Sequence, residues 1–135
     1  MTLSAQDALI YLMVVAASSD AAMSEKELTR IDTLVGRLPV FAGYDRTRIG
    51  AVANACIDQL NGEVGFEGVL DLAVAALPER LEDTAYAVCV EVTAVDLSLE
   101  QEELRMLEML RDRLSLTRLT TAAIEAAARA LHRRA

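Results

Sequence analysis

Displaced by 76 positions, the chain matches itself. Ile10–Leu38 lies over Tyr86–Leu114, with identities at Val14/Val90, Asp20/Asp96, Glu27/Glu103, Leu28/Leu104, Leu34/Leu110, Arg37/Arg113 and Leu38/Leu114. Chance alone supplies about two or three identities over such a stretch in so biased a composition. Apolar character is also kept at Leu12/Val88, Met13/Cys89, Met23/Leu99 and Ile31/Leu107. Each unit reads as an apolar helix, an Asp near its end, a short turn, and a second helix with an acidic start. A chain that repeats this pattern near both ends is expected to build two similar helical hairpins, over residues 4–38 and 80–114. The segment between them is expected to complete one core.

The rest of the sequence agrees with an all-α class: a compact bundle of about seven helices in a single domain over 1–135. Only two prolines and six glycines occur in 135 residues, so few positions resist helix. The spacing predicts helices over about 4–19, 24–37, 45–60 and 64–76, a fifth that has Pro78 in its first turn and runs to about 95, and two more over 99–113 and 118–133. Ser4 and Ser24 are candidate N-caps, and Ser24 with Glu27 has the S-x-x-E form of a capping box. Pro39 ends the second helix region, Asn61-Gly62 stops the third, and Pro78 reads as a first-turn proline of the fifth. Helical periodicity places Ile49, Val52, Cys56 and Leu60 on one face, and Phe66, Val69, Leu70, Ala73 and Leu77 inward on another. Leu12, Val15, Leu28, Ile31, Val52, Leu70, Val88, Val92, Leu107 and Leu110 are the expected core. Aromatic residues are 4% of the chain and Trp is absent, so that core is aliphatic and rich in Ala.

Formal net charge is −8. Such a field repels phosphates and therefore disfavours nucleic acid and anionic lipid. It suits cations and basic protein surfaces. The apolar run Ala8–Ala17 is preceded by Asp7 and is too short for a bilayer, which needs about 20 residues. It reads as a buried helix, not as a signal segment or membrane span. Cys56 and Cys89 form no CxxC pair and are expected to be buried, reduced thiols, which fits a cytoplasmic protein.

Two features concentrate acid where it is unfavourable. Asp20 and Asp96 each follow an apolar helix, facing the negative end of its dipole. Glu91 stands alone in AYAVCVEVTAV, where a carboxylate has to be paired, protonated or bound to a cation. An arginine such as Arg30 or Arg37 would supply such a pair; the alternative is that Glu91 lies on a solvated stripe of the fifth helix. The acids do not make a standard EF-hand loop. From Asp20 the calcium-loop positions fall on Ala22, Ser24, Glu25 and Ile31; from Asp96 they fall on Ser98, Glu100, Gln101 and Glu108, without the glycine.

At ALIYLMVVAASSDAAMSEKELTRI and its counterpart YAVCVEVTAVDLSLEQEELRML, the chain resembles the bacterial TerB tellurite-resistance family. The resemblance spans about Asp7 to Leu116. It implies an all-helical domain with two acid-bearing hairpins, in a cytoplasmic bacterial protein connected with tellurite resistance and chemical stress. It also implies metal-cation binding through clustered carboxylates, coupled to protein partners or the inner membrane face. The matching positions are Asp20 and Glu27 in the first hairpin and Glu91, Asp96 and Glu103 in the second, with Glu25, Glu100 and Glu102 secondary. Members often carry Gly after the hairpin Asp; here Ala21 and Leu97 stand there. Ligands that are all oxygen favour a divalent Ca, Mg or Mn ion, and no organic cofactor is expected. No P-loop, GxSxG or HExxH pattern occurs, and the one histidine, His132, falls near the chain end. A non-enzymatic binding module is therefore the expectation. A metal-free interaction scaffold is the alternative, and a metal-dependent hydrolase a more distant one.

Overall fold

The computed structural model describes residues 3–18, 23–94 and 101–135. It is an all-α bundle of seven helices: α1 (Ala5–Ala17), α2 (Glu25–Arg37), α3 (Ile49–Asn61), α4 (Gly65–Ala75), α5 (Glu82–Ala94), α6 (Gln101–Arg113) and α7 (Arg118–Leu131). Short 3-10 turns at Pro39–Phe41, Arg46–Arg48 and Glu79–Leu81 join them. Among the described residues there is no strand, and no helix is long and apolar enough to cross a membrane.

The centre of the molecule is α1. Every residue from Ala8 to Ala16 is buried, because α2, α3, α4, α5 and α6 all pack around it. A helix apolar on all sides belongs in the interior. Its N-terminus is set by Ser4, whose hydroxyl accepts from the Asp7 N–H at 3.0 Å.

Some elements and positions 76 apart share length or burial, while others, such as half-buried Leu28 and exposed Leu104, do not. The helix α6 begins and ends 76 positions after α2, and α1 and α5 have the same length. Ile31 and Leu107 are both buried, as are Leu34 and Leu110, Leu12 and Val88, and Met13 and Cys89. The register breaks at Val15 and Glu91. Val15 is buried in the central helix, whereas Glu91 is half-buried on α5, which has α7 against it.

Some expectations are corrected. Phe66 points outward and is 37% exposed, while Val69, Leu70, Ala73 and Leu77 are buried as expected. Leu28 and Leu60 are half-buried at the edge of the core. Pro78 precedes a 3-10 turn, and α5 starts only at Glu82. The proline ring presets the chain before that turn, with φ −68° and ψ 148°.

Candidate functional site

Side-chain bonds fix how the two hairpins lie. At the start of α1, the Gln6 amide donates to the Val40 carbonyl at 3.1 Å and the Tyr44 hydroxyl donates to Asp7 Oδ1 at 2.7 Å. The start of α1 is therefore beside the chain that leaves α2. At the start of α5, Glu82 Oε1 accepts from the Ser115 N–H at 2.7 Å, just past α6. Each helix pair is thus antiparallel. Across the pairs, Arg30 Nη1, in the first half of α2, donates to the Val92 carbonyl near the end of α5 at 3.1 Å. The end of α1, the start of α2 and the end of α5 therefore share one end of the bundle. The sequences that link the helices within each hairpin hold Asp20 and Asp96.

Three groups at this end have defined partners. Glu27 closes the capping box of α2: its Oε1 accepts from the Ser24 N–H and hydroxyl, both at 2.9 Å, while the Glu27 N–H donates to Ser24 Oγ at 3.2 Å. Glu91 Oε2 lies 3.0 Å from Nε2 of His132, which caps the C-terminus of α7. The Arg30 guanidinium brings positive charge to carbonyls at the end of α5, where the helix dipole favours it. At the end of α1, the Ser18 hydroxyl oxygen is buried with no hydrogen-bond partner among the described residues.

Of the sequence-derived candidates, the structure therefore brings Glu27 and Glu91 to the same end. Asp20 and Asp96 lie outside the described residues, as do the secondary candidate Glu100 and the side chains of Glu102 and Glu103. Glu25 is in the first turn of α2 and exposed. Among the described residues, no three His, Cys, Asp or Glu side chains come close enough together to hold a metal ion. The partner of Glu91 is His132, not Arg30 or Arg37. Sequence reasoning placed that histidine at the chain fringe, and only the docking of α7 on α5 brings it to Glu91. No local signal announces a pair 41 residues apart.

The thiols lie elsewhere and are shielded. Cys56 and Cys89 are both buried. Desolvation pushes the Cys56 thiol up to about 12 and raises that of Cys89 as well. Neither supplies a thiolate at neutral pH. Carboxylate, hydroxyl and imidazole groups are what this end of the bundle offers, which is chemistry for hard or borderline cations. A comparison of the chain with family models, curated proteins and solved structures finds no match.

Proposed function

We propose that this chain is an acidic helical module of the TerB kind. It binds a divalent cation, Ca, Mg or Mn, through carboxylates at the shared end of its two hairpins, and acts with protein partners in tellurite or chemical-stress resistance. The observation that carries this reading is the Arg30–Val92 contact, because it draws together the ends from which both acid-bearing links leave. The Ser18 hydroxyl, without a partner among the described residues, adds a buried oxygen where the first of those links begins. In this reading Asp20, Glu27, Glu91, Asp96 and Glu103 supply the ligands. Glu27 and Glu91 exchange or share their present partners when the cation arrives. No catalytic role is assigned, and the buried, undissociated thiols support that.

A metal-free interaction scaffold is the second reading, favoured by one specific observation. Glu27 and Glu91 each already have a protein partner, and Arg30 already supplies positive charge at the end of α5.

Calorimetry and thermal melts with Ca²⁺, Mg²⁺ and Mn²⁺ separate the two. The cation reading expects saturable binding and a raised melting temperature. It also expects Asp96→Asn, which keeps size and turn preference, to abolish most of that gain while leaving the metal-free melt unchanged. If no divalent ion stabilises the protein and Asp96→Asn behaves as the parent in every buffer, the scaffold reading stands.

A further inference from the structure

Away from the hairpin ends, a shallow groove runs between the start of α4 and the middle of α6. Val64, Phe66, Met106 and Met109 give it an apolar floor, and its volume is about 530 Å³. That is room for several aliphatic side chains, within the span of about 300–1,000 Å³ seen for binding clefts. The local backbone presents this surface. Gly65 takes φ +69°, a conformation that side-chain-bearing residues rarely adopt, where the chain turns into α4. Val64 and Phe66 flank it and remain 45% and 37% exposed. Phe66 has the register of a core residue, yet it faces out.

The charge around the groove is lopsided. Glu67 and Asp71 both hold Arg113, at 3.5 and 2.7 Å, and still expose 75% and 67% of their side chains. Glu63 precedes Val64 in the turn, and Asp112 lies one helical turn beyond Met109; both are exposed. Arg105 is the basic residue of the lining. Glu67 and Arg105 line the groove; Glu63, Asp71 and Asp112, close by in the chain, add three more exposed carboxylates, and Arg113 is already held by Glu67 and Asp71.

We propose that this groove docks a basic amphipathic helix of a partner protein. Its apolar face covers Phe66, Val64 and the half-buried Met109, and its Lys or Arg residues meet Glu63, Glu67, Asp71 and Asp112. A groove between two helices accepts the i, i+3, i+4, i+7 anchors of a third. Methionine side chains adapt to differing anchors. The acidic border selects against acidic partners and anionic lipid. This surface uses none of the hairpin carboxylates, so it stands apart from the cation reading.

The probe is a fluorescent 18-residue Leu/Lys peptide with leucines at helical spacing. Its controls are a scrambled peptide of the same composition and a Leu/Glu version. Anisotropy titrations at near-physiological salt are expected to show saturable one-to-one binding of the helical basic peptide, with both controls at least about tenfold weaker. Phe66→Ser weakens binding about tenfold or more with an unchanged circular-dichroism melt. Should that variant unfold, Val64→Ser, at the more exposed position, is expected to give a similar loss. The distant Glu79→Lys leaves affinity within about threefold. Equal binding of the scrambled or Leu/Glu peptide overturns the proposal. So does full affinity in a folded Phe66→Ser or Val64→Ser variant.

Discussion

Tyr86 shows how much one side chain can join. Its ring is wholly buried. Its hydroxyl donates to Glu125 Oε2 on α7 and accepts from Arg111 Nη1 on α6 at 3.0 Å, while Arg111 also reaches Glu125 at 2.8 Å. One phenol thus ties three helices together. Tyr86→Phe keeps the packing but removes the shared hydroxyl, and a loss of about 1–2 kcal/mol in urea denaturation is expected. Unchanged stability would show that the partly exposed Arg111–Glu125 pair holds the helices alone. The aromatic ring at 86 was legible as a helix residue at the start of the second repeat unit. Its three-way junction was not, because the partners lie 25 and 39 residues away.

At the scale of elements, helix starts were the most readable features. Ser4 and Ser24 cap as their local sequence indicates, since a cap bond spans only three residues. That locality also allows the two readings of Glu27 to be separated. Glu27→Gln preserves an acceptor for the Ser24 N–H but removes the charge, whereas Ser24→Ala breaks the cap at a cost of about 1 kcal/mol. The expected outcome is a metal-free melt close to the parent for Glu27→Gln and a lower one for Ser24→Ala. Only Glu27→Gln should reduce stabilisation by divalent ions. Equal metal-dependent gains in the parent and Glu27→Gln would remove Glu27 from the ligand set. Element ends were less readable at Pro78 and Phe66. A 3-10 turn and an outward aromatic both follow from what surrounds them, not from spacing along the chain.

The whole molecule is built around a buried α1, and its three tyrosines report on that packing. Burial raises the pKa of Tyr11, Tyr44 and Tyr86, reinforced at Tyr44 by Asp7 and at Tyr86 by Glu125. The folded state therefore keeps phenol protons that the unfolded chain loses near pH 10. This contribution to stability is fully present below that pH and is lost as pH rises towards the raised folded values. Absorbance at 295 nm should show less tyrosinate than free phenols give at their midpoint while helical circular dichroism is intact. The Tyr86 signal should rise only as helix content falls. A Tyr86-dependent titration near pH 10 in a folded protein would contradict its burial.

Periodicity and caps were enough to determine an all-α bundle of seven helices and most of its core. Each rests on neighbours within a few turns of helix. Tertiary structure alone decided that α1 is surrounded, that Glu91 meets His132, that Arg30 reaches the end of α5, and that Phe66 floors an open groove. These depend on which helices pack side by side and on how far each is rotated about its axis. The energy that selects them is summed over the whole core, so no single stretch of sequence carries it.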